Sequence, residues 1–233
     1  MRDGYDINRI PGDGYFVLPL SVDRLDHGQD PKTCYQMVDF LMKKLSKRRA
    51  EVIFLYTAGV YFNSEKTAYT VRERSNNKIF NHSRALKNLL EKEGEYTPEI
   101  FHYLPYNYVL INSKHYIDFL NKLEGRQEND QEFRNNIQKD MGDREYNKPN
   151  VRFILEETVA THIIRQKLVQ FPQAIIRNDN WRLMAYPGSY IHADVYQWQN
   201  DILPKPDNSN RFAGTYYNFD EKKVHIFSEI DEI

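Results

Sequence analysis

Apolar residues along this chain gather in short clusters rich in β-branched and aromatic side chains, at about 15–20, 51–57, 99–104, 173–177 and 181–186. Between them run longer segments with helical spacing, at about 32–48, 64–93, 112–124, 129–141 and 150–169. Strands alternating with helices of this length predict an α/β fold, with a parallel sheet covered by helices on both faces. Glu93-Gly94-Glu95 breaks the longest helix, and Tyr146-Asn147-Lys148-Pro149 punctuates before another. No repeat or long linker divides the 233 residues, so one domain over 1–233 is expected. Within 211–233, Thr215 to Phe219 and Val224 to Phe227 flank Asp220-Glu221-Lys222-Lys223, which predicts a terminal hairpin.

Composition narrows the class. With 40% apolar and 28% charged residues the chain is neither disordered nor membranous, and no run approaches a membrane span. The first residues, polar and rich in Gly and Asp, lack a signal pattern, so the chain reads as soluble and cytoplasmic. A net charge of -1 argues against a generally basic nucleic-acid binder and confines any polyanion contact to a local patch. The single cysteine, Cys34, has no disulfide partner and reads as a buried apolar residue. Seventeen tyrosines imply many rings packed inside with their hydroxyls hydrogen-bonded.

Several chemistries are missing. The sequence has no Gly-rich dinucleotide turn, no Walker loop, no His-Glu-x-x-His and no Cys/His cluster, so neither cofactor nor metal is expected. It also lacks a Gly-x-Ser-x-Gly elbow, which argues against an ordinary α/β hydrolase. Lys44-Leu45-Ser46-Lys47-Arg48 superficially resembles a nucleotide-binding signature, but it closes an early helix and reads as a basic helix end. An enzyme built this way must take a substrate that is already activated.

Four constellations remain, each with a plainer alternative. Tyr15 to Leu20 runs into Ser21, a hydroxyl at the carboxyl end of a first strand, where open α/β sheets keep their chemistry; Ser is equally common in turns. In helix 64–93, Val71, Ile79, Leu86, Leu89 and Leu90 gather on one side. Arg74, Arg84 and Lys87 lie off that stripe and Lys78 at its edge, with no acid in 74–90. This is either a phosphate-backbone footprint or a solvated face. In Val151 to Ala160, Phe153 and Glu157 are four apart and share a helix face. One of Glu156 and Glu157 should turn toward core or cleft while the other faces water, unless both form an exposed acidic pair. Trp181 to Tyr186 reads as a buried strand ending before Pro187, so Tyr186 would share the edge of Ser21, and Tyr56 could line it too; both tyrosines could equally be amphipathic core residues.

Together these pieces resemble the tRNA-dependent cyclodipeptide synthase family, over about residues 15–200 and through order and spacing more than side-chain identity. That resemblance implies a Rossmann-like sheet similar to the catalytic domain of class I aminoacyl-tRNA synthetases, without the ATP-binding signatures. It implies aminoacyl-tRNAs as partners and ping-pong acyl transfer, with Ser21 as nucleophile, Glu157 holding the substrate ammonium and passing protons, and Tyr186 positioning Ser21 or the amine. Pro19, Arg24, Tyr56 and Phe153 would line the substrate site, and Arg74, Lys78, Arg84 and Lys87 the tRNA surface. Three positions depart from the family: Pro19 stands where Gly is usual, Arg24 where Asn is usual, and Phe153 where Tyr is usual.

An aminoacyl transferase acting on another amine, and a non-catalytic tRNA- or protein-binding relative, remain open as alternatives. Asp23, Asp26 and Glu156 point to a cationic substrate side chain, from charge complementarity alone. The oligomeric state is open, since an edge hairpin can pair or be capped.

Overall fold

The computed structural model describes residues 10, 13–44, 50–57, 68–94, 96–97, 100–169, 179–205 and 210–230. Among the described residues six strands form one sheet in the order β3-β2-β1-β4-β5-β6. They are β1 (Gly14–Leu20), β2 (Ala50–Tyr56), β3 (Phe101–Pro105), β4 (Arg182–Tyr186), β5 (Thr215–Asn218) and β6 (Lys223–Ile226). The first five run parallel, and β6 closes an antiparallel hairpin on β5. Thus the hairpin is present, and it extends the sheet beyond β4. The expected strand at 173–177 lies outside the described residues.

The chain runs outward from β1 to β3, then returns to place β4 on the other side of β1. The crevice at the carboxyl ends of β1 and β4 is therefore the topological switch point, where open α/β sheets bind ligands.

Alternation along the strands splits the core in two. Phe16, Leu18, Leu20, Val52, Phe54 and Tyr56 face α1 (Pro31–Lys44) and α2 (Ala68–Lys92). Tyr15, Val17, Ile53 and Leu55 face α3 (Tyr106–Ile111), α4 (Tyr116–Asn129), α5 (Gln131–Met141), α6 (Lys148–Arg165) and α7 (His192–Gln199). Asp30 caps α1, its carboxylate accepting from the amides of Lys32 and Thr33 at 3.1 and 3.2 Å. Residues 45–48 of the basic helix end fall outside the described residues.

Helix α6 is the central pillar of the second layer. Asn147 caps it, accepting from Asn150 N at 3.0 Å, and Pro149 sits in its first turn. Val159, Ile163 and Ile164 are fully buried, each contributing about 1.5–3 kcal/mol of apolar burial. The helix stops at Arg165, four residues before the sequence pattern does. Lys167 turns to φ 54° while Leu168 N bonds Ile163 O and Lys167 N bonds Ile164 O, a Schellman end without glycine. The short helices α3 and α7 were not legible in the periodicity.

Candidate active site

At the switch point a cavity of about 370 Å³ opens between the β1 and β4 ends and helices α5, α6 and α7. Ser21, Glu157 and Tyr186 all line it, as do Pro19, Arg24 and Phe153. Strand parity explains the grouping: positions 15, 17, 19 and 21 point to the α4–α7 side, and so do 184 and 186 of β4.

Ser21 ends β1 and starts a 3₁₀ turn at Val22–Arg24. Its amide donates to Gln29 Oε1 at 2.7 Å, and its carbonyl accepts from Arg24 N at 2.9 Å. Its hydroxyl makes no hydrogen bond to another described residue. Arg24 reaches across to β4, where Nη1 donates to the Tyr186 hydroxyl at 3.4 Å. Burial pushes the Tyr186 phenol above its ordinary range, and Arg24 opposes that push.

Glu157 is set into the wall of the cavity. Burial raises its carboxyl to about 7, with the Asp140 carboxylate adding to the rise and Arg144 and Arg24 resisting it. A carboxyl poised near neutrality can take or give a proton, or ionise when an ammonium arrives. Phe153, one turn earlier, carries the Arg144 guanidinium over its ring at 4.9 Å.

Glu156 corrects the expectation that one of the pair faces water. It is 2% exposed and sits on the other side of α6. It accepts from Arg152 Nε at 2.8 Å and from the Tyr116 hydroxyl at 3.0 Å, while Arg152 also pairs with Glu124. The four-residue step from Arg152 to Glu156 was the signal for this pair.

A cationic substrate side chain, expected from charge complementarity, would meet neither Glu156 nor Asp26 in the cavity. Glu156 is not on the cavity, and Asp26 is exposed and paired with Lys78 at 2.6 Å. The Asp23 side chain lies outside the described residues.

Tyr56 is also corrected: it faces the α1–α2 layer and does not line the cavity. Its hydroxyl meets His82 Nδ1 at 2.9 Å, and His82 Nε2 donates to the Gln29 carbonyl at 2.7 Å. Since a carbonyl can only accept, Nε2 carries the ring proton and Nδ1 accepts from Tyr56. Burial lowers the His82 pKa, which keeps that ring neutral. Gln29 in turn holds the Ser21 amide, so Tyr56 ends a buried chain that fixes the Ser21 backbone from behind. Cys34 is fully buried against the same carbonyl at 3.3 Å, its thiol pushed up to about 12 by burial.

Among the α2 cations, Arg74, Lys78, Arg84 and Lys87 are all exposed. Lys78 is taken up by Asp26 and Lys87 by Glu91 at 3.6 Å. Arg74 and Arg84 form no ion pair with another described residue.

No pattern along the chain signals the far wall. Asp140, on α5, accepts from His192 N at 2.7 Å, Ala193 N at 2.8 Å and His192 Nδ1 at 2.7 Å. Arg165 and Asp194 form a buried ion pair beneath, joined by the Thr161 hydroxyl at 3.2 Å. Asp140 and His192 are 52 residues apart, and Arg165 and Asp194 are 29 apart, so no local motif announces either pair. Among the described residues no cluster of three or more His, Cys, Asp or Glu could hold a metal, and no helix is long and apolar enough to cross a membrane.

No protein-family model matches the sequence, and no curated protein matches it. Solved structures do match the fold. A CDPS from Staphylococcus haemolyticus superposes with a TM-score of 0.54 at 12% identity, over 84% of this chain and 87% of that one. A CDPS from Fluoribacter dumoffii gives 0.53 at 13% identity over 85% and 87%. A cyclodipeptide synthase from Bacillus thermoamylovorans gives 0.53 at 15% identity over 84% and 85%. A Mycobacterium tuberculosis protein, described as demonstrating that cyclodipeptide synthetases are related to type I tRNA synthetases, gives 0.50 at 15% identity over 78% and 75%. The chain therefore has the fold seen in these cyclodipeptide synthase structures, a largely parallel α/β sheet.

Proposed function

We propose that this protein joins two aminoacyl groups, delivered as aminoacyl-tRNAs, into a cyclic dipeptide through an ester on Ser21. The observation that carries this reading is the convergence of Ser21, Glu157 and Tyr186 on one cavity at the β1–β4 switch point. The absence of nucleotide motifs from the sequence supports a substrate that arrives already activated as an ester.

The Ser21 hydroxyl attacks the aminoacyl carbonyl, the bond to the ribose oxygen breaks, and that oxygen takes up the proton as tRNA leaves. The amine of a second aminoacyl-tRNA then attacks the seryl ester, giving a dipeptidyl-tRNA and a free Ser21. Transfer of the dipeptide back to Ser21 and closure by its own amine release the ring. Glu157 holds the substrate ammonium: a cation in the cavity draws its carboxyl back toward the ionised form. Tyr186, gripped by Arg24, orients the attacking groups from the β4 side. Pro19 and Phe153 supply apolar walls, and exposed cations of α2 meet the tRNA backbone.

Incubation with bulk tRNA charged with labelled amino acids, followed by mass spectrometry, tests the proposal. A labelled cyclic dipeptide is the expected product. A different conjugate would indicate an aminoacyl transferase using another acceptor, and no turnover with retained tRNA binding would indicate a non-catalytic relative.

A further inference from the structure

The aminolysis step just described needs a group that takes a proton from the attacking amine and returns one to the Ser21 oxygen. Ser21 has no base bonded to it among the described residues, and Glu157 is committed to the ammonium. One imidazole lines the same cavity, that of His192.

His192 is the first residue of α7, directly after the turn that leaves β4, so it lies at the same sheet edge as Ser21 and Tyr186. Asp140 holds it twice, at the backbone amide and at Nδ1, both 2.7 Å. The carboxylate is only 7% exposed and makes its third bond to Ala193 N at 2.8 Å. Burial raises the Asp140 carboxyl while its bonds from His192 and Ala193 lower it; in the ionised form it only accepts, so Nδ1 then carries the proton in the neutral ring and Nε2 keeps its lone pair. Nε2 makes no hydrogen bond to another described residue. Tyr190 packs its ring against the imidazole at 5.3 Å, restricting the ring from one side.

Capping α7 explains the two amide bonds to Asp140. It does not explain the third contact, which fixes a tautomer on a side chain that a cap does not require. Nor does it explain why the ring lies on the cavity instead of in the core.

We propose that Asp140 and His192 form the proton-transfer dyad of this cavity, with His192 acting at Nε2 and Asp140 as its positioning residue. This rests on the acyl-transfer reading above for its substrate. The amine attacks the seryl ester carbonyl, its proton passes to Nε2, the ester C–O bond breaks, and the imidazolium protonates the departing Ser21 oxygen. The amide forms, Ser21 is regenerated and the dyad returns to its starting state. The other charged and titratable groups lining this cavity are Asp140 and Lys139 on α5, Arg144 beyond it, Glu157 and Arg165 on α6, Arg24, and the phenols of Tyr106, Tyr186, Tyr190 and Tyr216.

His192→Asn separates structure from proton transfer, because the Asn amide can still donate to Asp140 while carrying no titrating nitrogen. Acyl-Ser21 formed from labelled aminoacyl-tRNA should then be aminolysed by a second aminoacyl-tRNA roughly 10²-fold more slowly. The low-pH limb of that rate should flatten, with the unfolding midpoint unchanged. Unchanged aminolysis and an unchanged pH profile in His192→Asn would overturn the proposal. Ring ¹⁵N spectra judge the dyad even if the wild-type protein accepts no label and the acyl-transfer reading falls. A protonated Nδ1 in the neutral ring, lost in Asp140→Asn, supports the dyad; a protonated Nε2 in the wild-type protein refutes it.

Discussion

Glu156 and Glu157 are adjacent on α6, yet they live in different chemical settings. Glu156 is closed into a network with Arg152, Glu124 and Tyr116, its Oε1 accepting from both Arg152 and Tyr116. Glu157 meets a cavity whose nearest charges are Asp140 on one side and Arg24 and Arg144 on the other, and burial leaves its carboxyl near neutrality at about 7. Helical geometry sets the two about 100° apart, enough to separate a carboxylate closed into an ion-pair network from one that lines a cavity. The pair shows that a buried charge by itself does not mark a site. What differs is whether its partners are already supplied by the fold or left for a ligand.

The largest effect that would break this contrast is on turnover. Glu157→Gln keeps shape but cannot ionise, and should cut dipeptide formation by about 10²-fold or more. Glu156→Gln should leave turnover within a few-fold of wild type. Assaying both with the same charged tRNA reads the contrast directly, and a dead Glu156→Gln beside an active Glu157→Gln would reverse the assignment.

Stability against pH gives the next largest effect. Glu157 has a folded pKa raised from 4.5 to about 7, so the folded state holds more protons than the unfolded state between those values. Its contribution is therefore fully present below about 4.5 and is lost as pH rises through about 7. Glu157→Gln should accordingly be more stable than wild type at pH 8, by on the order of 2 kcal/mol, and equal to it near pH 4. Urea midpoints at the two pH values check this sign.

Glu156→Gln should act oppositely, losing about 1–3 kcal/mol at neutral pH because Arg152 keeps only one of its two carboxylate partners. Thermal or urea denaturation of the purified variant measures it. The smallest effect concerns α2. Arg74→Glu and Arg84→Glu should each flatten the salt dependence of tRNA binding by about one unit of slope. Lys78→Glu and Lys87→Glu should change it less, since Asp26 and Glu91 already occupy those ammonium groups.

Much of this was readable from residue pattern because it depends on local periodicity. The clusters at 15–20, 51–57 and 181–186 became β1, β2 and β4 within a residue or so, and Asn147 with Pro149 marked the start of α6. Strand ends put Ser21 and Tyr186 at one edge and a four-residue step put Phe153 and Glu157 on one helix face; the resemblance to cyclodipeptide synthases joined the two pairs into one expected site. What escaped was non-local or interrupted. In α7 the buried run Ala193 to Gln197 mixes Ala193, Val195 and Tyr196 with Asp194 and Gln197, so no apolar stripe betrays the helix. Its polar residues are buried because Arg165, Thr161 and His162 of α6 pair with them. Tyr56 was misplaced for a simpler reason: β2 is buried on both faces, and nothing in a continuous apolar run tells which side a given tyrosine takes. The register of the sheet decides it.

The central claim is that Ser21 carries the acyl group. Brief mixing with aminoacyl-tRNA labelled in the amino acid, followed by acid quench and peptide mapping, measures it most directly. The account predicts a labelled, base-labile ester on the peptide containing Ser21, absent from Ser21→Ala, with product formation lost in that variant. Label and turnover that both persist in Ser21→Ala would contradict it.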